Sequence, residues 1–161
     1  MTEETSMFEI ENFKSHFNSC GNGKGVAVYY KEEFQLETSI NHQNYQISKF
    51  SSKNEDVICI YRSTTTNLDL QREFTQEIDS VINIDRRQIF IGDFNIEASE
   101  NLIVQEFEKK NFRQLVTFPT HEDGGIIDHC YISNLIQPET IKLEQKAVHY
   151  TDHDMLKIRF V

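Results

Sequence analysis

Gly92-Asp93-Phe94-Asn95 directly follows an apolar run, Gln88-Ile89-Phe90-Ile91. Glycine lets the backbone turn sharply where a strand ends. Asp93 and Asn95, two apart in an extended segment, project to one side. A carboxylate beside an amide can accept a proton and orient a phosphate or a water. The same residues also suit a plain strand-to-turn junction, where Asp and Asn are common.

Three other segments carry comparable chemistry. Ile126-Ile127-Asp128-His129 puts a charge inside an apolar run. A half-buried carboxylate is costly unless paired, so Asp128 needs a partner, and a histidine is a natural one. The alternative is an edge strand with Asp128 in solvent. His129 faces the other side and reads as structural. Thr151-Asp152-His153-Asp154 is the densest polar cluster. Asp152 can ligate a hard metal through oxygen. His153 can donate to a phosphoryl oxygen while a carboxylate such as Asp128 orients its ring. The cluster can also be read as a polar turn. Tyr61 ends the run Val57-Ile58-Cys59-Ile60, and Arg62 and Ser63 follow it. A phenol and a guanidinium at a strand end both suit phosphate contact, or they are an aromatic strand end with a solvated arginine.

The elements that must position these groups are legible from periodicity. Strands are expected at 25–30, 34–38, 45–50, 57–61, 88–92, 115–118, 126–133, 141–149 and 155–161. Leu70, Phe74, Ile78 and Val81 recur at helical spacing, with Asn67 or Asp69 as the cap. A second helix is expected from Ser99, burying Leu102, Ile103 and Phe107 and ending near Lys109, Lys110 and Asn111. Strands, helix, strand, helix and strands in that order predict an α/β sandwich.

Composition sets the limits. The 161 residues make one domain, 1–161, with 38% hydrophobic and 26% charged residues. A chain of about 150 residues buries roughly 70% of its unfolded surface. The net charge of −10 argues against binding nucleic acid by blanketing phosphates with positive charge. It does not exclude a protein that touches a few phosphates and holds a divalent cation. Cys20, Cys59 and Cys130 make neither a disulfide framework nor a zinc motif. No run approaches the roughly 20 apolar residues of a membrane span. Nothing at the N-terminus resembles a signal peptide, so an intracellular setting, nucleus or cytoplasm, is expected. Oligomeric state is not legible.

Taken together, GDFN at 92–95, IIDH at 126–129 and TDHD at 151–154 resemble the last three signature blocks of the endonuclease/exonuclease/phosphatase superfamily, in the right order. GVAVYY at 25–30 and ICIYRS at 58–63 resemble its middle strands. PTH at 119–121 is similar to the retrotransposon-type branch. The resemblance implies a four-layer α/β sandwich of two packed, mostly antiparallel sheets flanked by helices. It implies a metal-dependent phosphodiester hydrolase, foremost a DNA endonuclease of mobile-element type, using Mg²⁺ or Mn²⁺. In that scheme Asp93 is the general base or acid, Asn95 orients the phosphate, and Asp128 holds His153. His153 and Tyr61 contact the phosphate, and Asp152 is a metal ligand.

The family's first strand and helix have no counterpart here, so an N-terminally truncated domain with one incomplete sheet is expected. Glu4-Thr5 resembles the Glu-Thr after the family's second strand, which makes Glu4 a second metal ligand. The other reading of Glu3 and Glu4 is a solvated terminal pair. Two further functions stay open: a catalytically impaired remnant of the fold, and a phosphatase acting on a small phosphorylated molecule or lipid headgroup.

Overall fold

A computed structural model of the chain describes residues 9–21, 24–64, 67–98 and 102–161. The strands are β1 (Lys14–Gly21), β2 (Lys24–Tyr30), β3 (Gln35–His42), β4 (Tyr45–Ser51), β5 (Glu55–Arg62), β6 (Arg87–Asp93), β7 (Phe112–Gln114), β8 (Asp128–Ser133), β9 (Ile141–Lys146) and β10 (Met155–Phe160). The helices are α1 (Leu68–Val81) and α2 (Leu102–Lys109).

Six strands form one sheet in the order β3-β4-β5-β6-β8-β7, in which only β5 and β6 run parallel. That parallel pair needs a crossover, and α1 supplies it. Asn67 starts α1, its side-chain oxygen accepting the backbone N–H groups of Asp69 and Leu70. Phe74, Ile78 and Val81 of α1 and Ile103 and Phe107 of α2 are buried against Tyr45, Ile47, Ile58, Ile60, Phe90 and Tyr131. Leu102, expected in this core, is instead exposed. Ser99 lies outside the described residues.

The other face of the sheet carries β1–β2 and β9–β10, each a separate antiparallel ladder. Register and parity put both ladders on this face. Phe50, which meets His16 and Tyr30, alternates with the helix-facing Ile47 and pairs with Val57. Val57 pairs with Ile89, which packs with Cys130 and Ile132 against β9 and β10. Helices, a large sheet and two ladders make the expected α/β sandwich. The second sheet is represented, among the described residues, by two unjoined pairs.

β3 runs on to His42 and β9 stops at Lys146, and three further departures from the expectation have identifiable reasons. β1 has no apolar alternation because its inward residues are polar. Asn18 is buried and donates to the Ile40 carbonyl and the Ser39 hydroxyl. The strand expected at 115–118 is at 112–114, because the Gln114 side-chain oxygen accepts the N–H groups of Leu115, Val116 and Cys130 and takes the place of a ladder partner. β8 starts at Asp128, since loop groups hold the backbone of Ile126 and Ile127.

Gly92 has φ 150°, and a Cβ built there would stand 1.8 Å from the Ile60 carbonyl oxygen. The glycine is thus required by the close approach of β5 within the sheet rather than by a turn after it. Gly92→Ala should destabilise the fold by several kcal/mol, on the order of 3. Urea unfolding would measure it; a midpoint equal to that of the unsubstituted chain would refute the close-approach account.

Candidate active site

Tyr61 pairs with Asp93 across β5 and β6, and Asp93 pairs with Asp128 across β6 and β8. The three residues therefore stand in one row across three adjacent strands. Each alternates with a helix-facing neighbour, so all three lie on the ladder side of the sheet. His129, on the helix side as expected, is fully buried. Its ring stacks on Phe94 and its Nε2 lies 2.8 Å from the Ile96 carbonyl oxygen. Burial holds its pKa below the ordinary value.

Asp93 and Asn95 are adjacent, but not through an extended segment. Asn95 has φ 47°, so the chain doubles back. The Asn95 backbone N–H donates to Asp93 Oδ1 at 2.9 Å, and its Nδ2 donates to Asp93 Oδ2 at 2.9 Å and to the Arg62 carbonyl at 2.7 Å. Asparagine tolerates this left-handed geometry better than most residues. Burial, reinforced by the nearby Asp128 charge, pushes the Asp93 carboxyl up to about 6 despite the Asn95 bonds. Such a group can both accept and release a proton near neutrality.

Arg62 does not serve the phosphate contact its sequence position suggested. It is 1% exposed on the helix side, and its Nη1 donates to the carbonyls of Phe94 and Asn95. The guanidinium braces the loop that carries Asp93 and Asn95. Parity along β5 forces this: with Tyr61 on the ladder face, Arg62 must face the helices.

The segment around 151–154 meets the row from the side. His153 Nδ1 is 2.8 Å from Asp128 Oδ2, the expected carboxylate–histidine pair. Burial works against the charged ring, but the Asp128 hydrogen bond, with Asp93 and Asp152 nearby, keeps the His153 pKa above its ordinary value. Nδ1 donates to Asp128, which leaves Nε2 for another partner. Asp152 is beside it, with Oδ1 4.0 Å from His153 Nε2 and a side chain 54% exposed. Glu4 lies outside the described residues.

Two residues here carried no role in the sequence reading. The Thr120 hydroxyl accepts the N–H groups of Ile127 and Asp128, and its carbonyl accepts the Asp154 N–H at 2.8 Å. It thereby ties the 126–129 and 151–154 segments to one another. His121 Nε2 lies 3.3 Å from Asp152 Oδ2. The only signal for either was the Pro-Thr-His triplet.

No family model matches the chain, and no curated protein matches it in sequence. Solved structures do match in shape. The endonuclease domain of TRAS1, a telomere-specific non-LTR retrotransposon, superposes with a TM-score of 0.68 at 10% identity over 94% of this chain and 79% of that one. The chain has the endonuclease/exonuclease/phosphatase fold. A protein of that family from Leptotrichia buccalis matches with a TM-score of 0.57 at 13% identity, covering 98% of this chain and 75% of its own. The human Nocturnin catalytic domain matches at 0.61 and 14% identity, covering 93% and 73%. A Bacteroides thetaiotaomicron mannosyl-6-phosphatase shares the fold at 0.55 and 12% identity, covering 94% and 78%. The fold thus carries both nucleases and phosphatases. No helix of the described residues is long and apolar enough to cross a membrane.

Because its folded pKa is raised, Asp93 favours the fold only while protonated. That contribution is complete below about pH 4 and is lost as pH rises through about 6. Asp93→Asn should therefore gain about 1–2 kcal/mol of stability at pH 7 in EDTA, and the gain should vanish by pH 4. Urea melts at the two pH values decide it. Thr120→Val removes an acceptor from two inward N–H groups without changing shape, and should cost about 1–3 kcal/mol. Thr120→Ser should restore most of that stability in the same measurement.

Proposed function

We propose that this chain is a metal-dependent phosphodiester hydrolase, a DNA endonuclease of mobile-element type. The observation that carries this reading is the row Tyr61, Asp93, Asp128 with His153 held on Asp128 at 2.8 Å. The endonuclease fold neighbour and the Pro-Thr-His and Ile-Cys-Ile-Tyr-Arg-Ser segments support DNA as the substrate.

Asp93 takes the proton of the attacking water or returns one to the leaving oxygen, and a pKa of about 6 suits both steps. Asn95 fixes the Asp93 carboxylate through two bonds and lines the phosphate side of the loop. His153, oriented by Asp128, which favours its protonated form, points Nε2–H at a non-bridging phosphoryl oxygen and offsets its charge. Tyr61 borders the same phosphate. Asp152 is the metal ligand among the described residues, and its half-exposed carboxylate suits a hard cation that keeps several waters. Glu4 is proposed as the second carboxylate. When bound, Mg²⁺ or Mn²⁺ supplies Lewis-acid polarisation of the phosphoryl group.

Supercoiled plasmid with Mg²⁺ tests the reading. Nicking should appear, stop in EDTA, and fall by about a hundredfold to ten-thousandfold in Asp93→Ala. Nicking that ignores EDTA or the substitution sinks the proposal. The net charge of −10 favours a second reading, a phosphatase on a small phosphorylated molecule. Metal-dependent phosphate release from a sugar phosphate or phosphoinositide, with no plasmid nicking, would select it.

A further inference from the structure

His121, Asp152 and His153 each present one ligand atom, all within 4.8 Å of one another. The arrangement around the two rings is more specific than that proximity. His153 Nδ1 faces the Asp128 carboxylate at 2.8 Å, and His121 Nδ1 faces the Asp123 carboxylate at 3.5 Å. Both rings thus turn Nδ1 toward an acid and Nε2 toward Asp152, at 3.3 Å for His121 and 4.0 Å for His153. The rings stand nearly perpendicular, at 84°, with centroids 5.0 Å apart. A backbone bridge between His121 and His153 fixes their spacing.

Metal-binding histidines characteristically give their second ring N–H to a carboxylate, which orients the ring and raises its basicity. Two imidazole nitrogens and one carboxylate oxygen form a donor set for borderline transition ions. Mg²⁺ prefers oxygen throughout. We propose that His121 Nε2, Asp152 and His153 Nε2 bind a transition-metal dication such as Zn²⁺, which competes with the hard cation of hydrolysis for Asp152. At present His121 Nδ1 accepts the Asp123 N–H at 3.2 Å, so its own proton sits on Nε2. Metal binding moves that proton to Nδ1, where it hydrogen-bonds the Asp123 carboxylate in the exposed 121–124 turn, and displaces the Nε2 proton of a protonated His153 to solvent.

The consequence rests on the hydrolase reading. An ion on His153 Nε2 removes the donor that would meet the phosphoryl oxygen, and it also occupies Asp152. Zn²⁺ would then switch the site off while Mg²⁺ supports it.

Cobalt(II) is the probe, because its visible absorption reports nitrogen ligation without any need for turnover. The purified chain should bind one Co²⁺, releasing it to equimolar Zn²⁺ but not to a large excess of Mg²⁺. His121→Ala, with unchanged circular dichroism, should weaken Co²⁺ by at least about tenfold. His121→Asn, which retains polarity and turn propensity, should do the same and covers the case in which the alanine variant misfolds. Unaltered Co²⁺ affinity in a folded His121 variant, or displacement of Co²⁺ by Mg²⁺, would overturn the site. In the nicking assay, Zn²⁺ inhibition is read within each protein as the ratio of rates with and without zinc. That ratio, well below one in the unsubstituted chain, should rise toward one in the His121 variants, and equal inhibition would overturn the switch. If no protein nicks DNA, the endonuclease reading fails and the cobalt spectrum alone decides the metal site.

Discussion

The register that β6 keeps with β5 on one side and β8 on the other is the constraint on which the rest of this molecule depends. Hydrogen bonding along both edges aligns Tyr61, Asp93 and Asp128 in a single row. A slip of one residue at either edge would turn Asp93 or Asp128 toward the aromatic core. Gly92 lies at the point of closest approach to Ile60, so the register and the glycine are one feature. On the opposite face the same alternation sends Arg62 and His129 inward, where they support the loop after β6 and the core beneath it.

A row of acids is an electrostatic liability, and the surroundings bear on it unequally. Asp128 is compensated by the His153 ring. Asp93 accepts two hydrogen bonds from Asn95 and feels the His153 charge, yet burial and the Asp128 charge outweigh these and its pKa stays raised. A chain selected only for stability would replace Asp93, since a half-buried carboxylate whose burial outweighs its partners costs folding free energy. The opposite end of β5 shows what a purely structural charge looks like. Asp56 is 1% exposed there and meets Arg86, Gln88 and Lys49, which together hold its carboxyl below the ordinary range in spite of burial. Opposite ends of the paired strands β5 and β6 thus separate structural from chemical use of the same residue type.

Much of this was legible beforehand, for reasons that can be named. β5 and β6 are buried apolar runs and α1 has one apolar stripe, so hydrophobic periodicity located them within two residues. β1 escaped because buried Asn18 satisfies its amide on β3, a partner that no local pattern shows. β7 was misplaced because the Gln114 side chain stands in for strand backbone. Arg62 was misread because a strand end viewed alone does not say which face its last residue takes.

The sequence by itself determined which residue types stand at the strand ends, their order along the chain, and the family whose blocks they resemble. Those follow from composition and short-range spacing. Only the tertiary structure decided that Tyr61, Asp93 and Asp128 are register neighbours, that Asn95 folds back on Asp93, and that His121 joins Asp152 and His153. Each of these depends on cross-strand pairing or on loops meeting from distant parts of the chain. His121 and Asp152 are 31 residues apart, and only the packing of two loops around Thr120 brings their side chains together.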